Sequence, residues 1–339
     1  MDVPLLTGTR YEIGFQLGKQ FGSLIQKDSG ELHKHPPNVP PDFLSRFFIV
    51  GWELLQEVYP NTAEEILGFA RGAGVPLRDA FLNASDELWD LPESGCTDIA
   101  ARRTATLDGS TLLGHNNDQI IGSGTPHVFR LCSKGNPEIL LFTVDGSVLA
   151  GANETGLVLS GNTITSWDFQ TGIPRGLLQR TILDQTTLEA AVHVCLDENR
   201  ASEHNVILAT PGGEILDIEA TANHSSPGTP KEDLLSHTNH FQTRKMKPFS
   251  ADPPSESSRL REIRAWQLLR AGQGKHTVGT FQQILSDHEG SSVTGRSICR
   301  HPGSDGVVTS CSVIFEVEKH VAWYCPWQPC QRPYSAISY

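Results

Sequence analysis

Ser94-Gly95-Cys96-Thr97-Asp98-Ile99-Ala100-Ala101 marks the point where the chain changes character. Before it the sequence reads as helical, with Ile13, Leu17, Phe21, Leu24 and Ile25 recurring at helical spacing. Residues 42–59 form a second apolar helix behind the Pro-rich loop 33–41. Thr62 with Glu65 fits a capping box opening a third helix, which Gly72 and Gly74 end, and residues 77–91 are a candidate fourth. After the junction, short β-type runs are broken by turn signals such as Asp108-Gly109, Asp145-Gly146 and Pro211-Gly212-Gly213. Residues 96–107 and 111–117 read as a hairpin closed around Asp108-Gly109. Strands continue at 129–131, 139–144, 156–162, 205–209 and 214–219, and a last hairpin pairs 307–317 with 320–324. Helical pairs fall at 175–185 with 187–199 and at 257–270 with 278–287, whereas 225–231 and 248–258 read as polar loops. This order predicts an α+β fold of two antiparallel sheets packed together and covered by helices, with a helical N-terminal segment. Periodicity leaves open whether residues 1–95 are a separate domain or an extra layer.

Composition narrows the function. With 339 residues the chain can bury a core without a disulfide or metal staple. Lys+Arg of 27 against Asp+Glu of 39 gives a net charge of −12, which repels phosphate backbones, so no nucleic acid is expected as partner. No run approaches 18 apolar residues, so no membrane association is expected either. The amino terminus lacks the basic start and apolar stretch of a signal peptide, and a cytoplasmic location follows as the expectation. The seven cysteines are accordingly read as free thiols.

Gly95-Cys96 carries a particular chemistry. Cysteine is the most nucleophilic ordinary side chain, and a preceding glycine leaves its carbonyl sterically open. The thiol can attack that carbonyl, take the acyl group onto sulfur, and let water cleave the chain. The new terminus would carry a thiol and an α-amine whose ordinary pKa of about 7.7–8.0 suits a general base near neutrality. Taken alone, the dipeptide favours an ordinary buried strand cysteine after a turn glycine.

The surroundings shift that balance. Tyr11-Glu12-Ile13-Gly14 with Gly18, Leu82-Asn83 with Glu87, Gly95-Cys96-Thr97, Gly114-His115-Asn116-Asn117-Asp118, His237-Thr238-Asn239-His240 and Ser297-Ile298-Cys299-Arg300 occur in this order. Together they resemble the acyl-coenzyme A:isopenicillin N acyltransferase family, a cysteine branch of the N-terminal-nucleophile hydrolases. The resemblance implies an αββα sandwich and self-cleavage between Gly95 and Cys96 into residues 1–95 and a catalytic chain 96–339, co-folded as one unit. It also implies acyl transfer or hydrolysis at an amide or thioester. Cys96 is then the nucleophile, Asp118 the nearby carboxylate and Asn239 the oxyanion donor. Asn162 is a second candidate donor, and Thr97, Asn116 and His240 are expected beside the substrate. Asp98, two residues along the strand from Cys96, should share its face and is a candidate for recognising a cationic group; a solvent-facing edge carboxylate is the alternative. Two departures stand out. Asn117 replaces a residue that is commonly aromatic, and Ser304-Asp305-Gly306 replaces a Ser-Arg-Gly stretch, removing an expected arginine.

Competing readings are weaker. His237 and His240 lack the H-E-x-x-H pattern of a zinc site, and no C-x2-C pair occurs among Cys299, Cys311, Cys325 and Cys330, so no metal is expected. Neither G-x-S-x-G nor G-x-G-x-x-G occurs, which argues against serine-hydrolase and dinucleotide readings. The expected activity is hydrolysis of a small N-acyl amide, such as an aminoacyl amide of an amine, without a cofactor. Acyl-CoA-dependent N-acyl transfer, with acyl-CoA as co-substrate, is the nearest rival. A Cys/His thiol protease and an unprocessed, non-catalytic binding protein are further alternatives.

Overall fold

The computed structural model describes residues 2–34, 40–85, 88, 95–289, 296–303 and 305–339; Glu87, Ser94 and Ser304 lie outside them. The N-terminal part starts with a short strand, β1 (Leu5–Gly8), and runs through α1 (Arg10–Lys34), α2 (Pro41–Val58), α3 (Pro60–Ala73) and α4 (Leu77–Asn83). Then come β2 (Gly95–Ala101), β3 (Leu112–Ile120), β4 (Pro126–Ser133), β5 (Ile139–Val144), β6 (Ser147–Asn153) and β7 (Val158–Asn162). The pair α5 (Arg175–Ile182) and α6 (Leu188–Cys195) leads into β8 (His204–Ala209), β9 (Ile215–Ala220), β10 (Ser225–Gly228) and β11 (Leu234–His237). The chain closes with α7 (Glu256–Ala271), α8 (Val278–Leu285), β12 (Val307–Glu316), β13 (Val321–Cys325) and β14 (Ser335–Ser338).

Two sheets result among the described residues. One runs β1-β4-β5-β6-β7-β8-β9-β10 and the other β11-β2-β3-β12-β13-β14. Every pairing is antiparallel except β1 with β4. Period-2 alternation sends side chains of each strand to both faces. Ala100, Leu113, Val313 and Phe315 of the six-stranded sheet meet Leu140, Phe142, Val158 and Ile207 of the eight-stranded sheet in one apolar layer. On its other face the six-stranded sheet packs Ile99, Leu112 and Ile314 against Ala265 and Leu269 of α7 and Phe281 of α8. Helices α1–α6 cover the outer face of the eight-stranded sheet through Phe129, Leu141, Leu159 and Val206. The order of layers is therefore α-β-β-α.

The N-terminal helices share this core. A Cβ on Gly14 or Gly18 would sit 1.9 Å from the Glu65 carbonyl oxygen or 2.1 Å from that of Phe69. Gly68 and Gly72 of α3 make the reciprocal approaches to Tyr11 and Phe15 of α1. The Gly14/Gly18 signature is thus a backbone-to-backbone helix contact. Thr62 and Glu65 do not cap α3, which begins at Pro60 after an N-cap Tyr59 without a side-chain cap. They face inward instead. Thr62 Oγ1 lies 2.8 Å from Thr181 Oγ1, and both Glu65 oxygens accept hydrogen bonds from Arg180 at 2.8 Å. Arg10 pairs with Glu65 and Asp184 in the same buried cluster. Glu65→Ala would leave two buried guanidinium groups, Arg10 and Arg180, to share the single carboxylate of Asp184, so a loss of about 3–5 kcal/mol is expected, measured by chemical denaturation.

Four other strands were not foreseen: β1, β6, β11 and β14. β1, β11 and β14 are edge strands of four residues, too short for a visible alternation. Residues 225–228, read as loop, form edge strand β10, where Pro227 is tolerated because no further neighbour needs its N–H.

Candidate active site

The site grows out of the β2–β3 hairpin. The turn at Asp108-Gly109, with Gly109 at φ 78° and the Ser110 N–H on Asp108 Oδ1, closes one end. Pairing then sets Asp98 opposite His115, Cys96 opposite Asn117 and Gly95 opposite Asp118. Residues directly opposite share a face, so Cys96, Asp98, His115 and Asn117 point between the two sheets. Gly95, Thr97, Asn116 and Asp118 belong to the face covered by α7 and α8. On β12 the register shifts between Thr309 and Cys311, opposite Asp118 and Asn117. This bulge turns the Ser310 hydroxyl onto Asn117 Nδ2 at 2.8 Å.

On the inter-sheet face, the Cys96 thiol donates to Asn117 Oδ1 at 3.7 Å, and Cys96 is 7% exposed. The Asp98 carboxylate is fully buried. Its Oδ1 meets His115 Nδ1 at 3.1 Å and accepts from Ser160 Oγ at 2.6 Å. Its Oδ2 accepts from Asn162 Nδ2 at 2.8 Å, so β7 of the opposite sheet helps to hold it. Asp98 is therefore not the solvent-facing edge carboxylate, and the cation it faces here is the His115 imidazole. Burial lowers the pKa of His115, but Asp98 and the nearby Cys96 side chain outweigh it and hold the group well above its ordinary value. His115 Nε2 is buried with no hydrogen-bond partner among the described residues.

On the opposite face, Arg261 of α7 reaches the junction. It donates to the Cys96 carbonyl oxygen, to Thr97 Oγ1 at 2.8 Å and to Asn239 Oδ1 at 2.7 Å. Burial lowers its pKa to about 10; Asp118 opposes this shift and Arg300 adds to it. Asp118 Oδ2 lies 4.0 Å from Arg261, and Oδ1 accepts from Thr309 Oγ1 at 2.7 Å. Burial raises the Asp118 pKa despite both arginines. A Cβ on Gly95 would meet Arg261 Nη2 at 3.1 Å, Arg300 Nη1 at 3.2 Å and Asn239 Oδ1 at 3.3 Å. Glycine at this position lets two guanidinium groups and an amide approach closely, and a larger residue would make them shift by a few tenths of an ångström.

Asn239 takes an unforeseen orientation. Its Oδ1 accepts the Cys96 backbone N–H at 2.9 Å, while Nδ2 donates to the Thr163 carbonyl oxygen at 3.0 Å. In the intact chain it holds the nitrogen of the Gly95–Cys96 peptide and presents no N–H to a developing oxyanion. Asn116 is not beside the thiol: from the helix-facing side its Nδ2 ties β3 to the carbonyls of Leu285 and Ile298. His240 is occupied by Ser258 at 2.7 Å and Glu262 at 2.9 Å. His237 bonds Glu219 through Nε2 at 3.1 Å; burial lowers its pKa, but Asp217 and Glu219 together raise it to about 9. Neither histidine is left free to pair as a metal site. Asp305, which stands where an arginine was expected, instead binds Arg300 Nη2 at 2.6 Å. Sequence reasoning missed His115 and Arg261. The hairpin expected with a tight turn at Asp108-Gly109 does not pair Asp98 with His115, because β2 ends at Ala101 and a 3-10 turn at Arg103–Ala105 lengthens the connection, and nothing local marks Arg261.

A cavity among α1, α3, α4, α5 and β5–β6 is lined by Leu17, Ile66, Phe69 and Leu177; none of its lining residues belongs to the Cys96 constellation. No helix among the described residues is long and apolar enough to cross a membrane.

Comparison with known proteins bears on the same region. The family model "Acyl-coenzyme A:6-aminopenicillanic acid acyl-transferase" matches residues 105–331, a span that begins after Cys96. Beta-alanyl-dopamine/carcinine hydrolase of Drosophila melanogaster is 26% identical over 238 residues, which are 58% of this chain and 57% of that protein. The match thus spans little more than half the length of that relative. Among solved structures, a mutant conjugated bile acid hydrolase from Clostridium perfringens aligns over 72% of this chain and 92% of its own, at 15% identity and a TM-score of 0.49. Penicillin V acylase from Agrobacterium tumefaciens aligns over 68% and 82%, at 12% identity and a TM-score of 0.47.

Proposed function

We propose, because the chain belongs to the acyl-coenzyme A:6-aminopenicillanic acid acyl-transferase family, that it cleaves its own Gly95–Cys96 bond and then hydrolyses a small N-acyl amide through an acyl-enzyme on Cys96. One observation carries the reading. The peptide nitrogen of Cys96 is held by Asn239, two guanidinium groups flank Gly95, and the thiol of the same residue lies on the other face with Asn117, Asp98 and His115.

In processing, sulfur adds to the Gly95 carbonyl carbon and the carbonyl electron pair moves to oxygen. Arg261 and Arg300 are near enough to offset that negative charge, and a preorganised donor at such a centre is worth on the order of 3 kcal/mol. The C–N bond then breaks and nitrogen takes up the proton released by the thiol. This leaves a Gly95 thioester and the free α-amine of Cys96. Water converts the thioester to the Gly95 carboxylate and restores the thiol. In turnover the α-amine serves as base, with Asn239 and the Asp118 charge beside it. The N-terminal chain stays docked through the β1–β4 pairing and the Arg10–Asp184 and Arg180–Glu65 pairs.

Similarity to the Drosophila hydrolase supports an aminoacyl amide of an amine as the substrate class. Seven unpaired cysteines fit a reducing compartment such as the cytoplasm. The test is a denaturing gel with N-terminal sequencing, followed by assays on β-alanyl and other N-acyl amides with and without acyl-CoA. A new terminus at Cys96 with acyl-CoA-independent release of amine is the expected result. An uncut but active chain overturns the processing step, and activity only with acyl-CoA favours transfer.

A further inference from the structure

A second constellation lies outside the Cys96 site. His288, just beyond α8, and Cys299 and His301, in the segment before β12, converge with Cys330, in the connection between β13 and β14. One ligating atom from each lies within 4.8 Å of all the others. The two sulfurs are 3.7 Å apart and the two Nε2 atoms 2.9 Å apart. His301 Nε2 is 3.2 Å from the Cys330 sulfur and 4.0 Å from the Cys299 sulfur.

We propose that these four side chains bind one zinc ion in a closed Cys2His2 site that has a structural role. Zinc bonds of about 2.3 Å to sulfur and about 2.0–2.1 Å to nitrogen, arranged tetrahedrally, place ligand atoms about 3.8 Å apart for two sulfurs. The same geometry gives about 3.3 Å for two nitrogens and about 3.6 Å for a mixed pair. The four separations above lie within about 0.4 Å of these values, and His288 must move by about 1 Å at most to bring all four atoms, now within 4.8 Å of one another, onto one centre. The donor set, two thiols and two imidazoles, is the borderline-soft set that selects zinc over magnesium or calcium. All four positions are supplied by protein, which leaves no open position for catalysis.

The chain around the site is already tied down. The Cys299 N–H donates to the Asp287 carbonyl oxygen at 3.0 Å, and Ser297 Oγ donates to the Cys299 carbonyl oxygen at 2.7 Å. Gln328 Nε2 donates to the Arg300 carbonyl oxygen at 3.3 Å, joining two of the three segments. The ion would clip together three stretches distant in sequence and anchor the segment that carries Arg300 to Gly95. Cys311 and Cys325 take no part: the first lies in the inter-sheet core and the second donates to the carbonyl oxygens of Trp327 and Arg332. No spacing rule finds this set, because its only close pair is Cys299-x-His301 and the others come from separate elements.

The experiment uses the full-length protein, purified under reducing conditions, supplied with zinc and then freed of loosely bound metal. Elemental analysis is expected to find one zinc per chain. Cys330→Ser and His288→Ala change exposed residues, so folding should survive while zinc falls to background. Cys132→Ser, an exposed cysteine elsewhere, should retain it. Cobalt in place of zinc should give a thiolate-to-metal charge-transfer band that is absent in Cys330→Ser. Wild-type protein without stoichiometric zinc, zinc content unchanged in both ligand variants, or a Cys299–Cys330 disulfide in place of bound metal would each overturn the proposal.

Discussion

Cys96→Ala is expected to remain at full length on a denaturing gel and to lose turnover by on the order of 10^6. Two functions fall together because one sulfur serves both. Without it no thioester forms at Gly95, and no acyl-enzyme forms with substrate. The fold should survive, since the residue is a small side chain at the end of β2 whose thiol makes a single weak hydrogen bond to Asn117. Thermal unfolding of the variant is therefore the control that separates loss of chemistry from loss of structure. Cleavage persisting in this variant would remove Cys96 from the mechanism.

His115→Gln is expected to slow self-cleavage by roughly 10^2–10^4 while affecting the matured enzyme less. Before cleavage there is no α-amine, so the intact chain needs another group to manage charge and proton at the thiol. His115 is the available one. It is buried beside Cys96, oriented by Asp98, and held well above its ordinary pKa because Asp98 and Cys96 outweigh the effect of burial. The raised pKa favours its cationic form. In this state it offsets negative charge developing on sulfur and can relay the thiol's proton to the leaving nitrogen, giving up its own proton and taking the one from sulfur. The sign follows. The cation, and the stability its ion pair with Asp98 contributes, is present below the ordinary histidine range and is lost as pH rises through the raised folded value. Wild-type cleavage should fall along that limb, and His115→Gln should lack it. Gel time courses across pH check this. Equal rates and identical pH profiles in the two proteins would dismiss His115.

The hairpin around Asp108-Gly109 was legible in outline but its register was not: a tight turn there would carry Cys96 and Asp98 past Asn117, whereas the longer connection 102–111 sets them opposite Asn117 and His115. Faces were only half legible. Alternation puts Asp98 with Cys96, yet the same rule sends Thr97, Asn116 and Asp118 to the helix side, away from the thiol. Asn239 was found by motif, but its orientation depends on Arg261 and Thr163, which lie far away in sequence.

The stretch from Ser94 to Ala101 already carried the change from helix to sheet, the glycine-cysteine chemistry and the strand on which the site is built. Those features depend on neighbouring residues, where backbone preference and period are written directly. Packing supplied the rest: Arg261 arriving from α7, Ser160 and Asn162 crossing from the other sheet, Glu65 turned inward to Arg180 rather than capping its helix. The convergence of His288, Cys299, His301 and Cys330 belongs with them. Each depends on how layers dock over long sequence separations, and apolar burial that drives docking leaves no local mark on the polar residues it brings together.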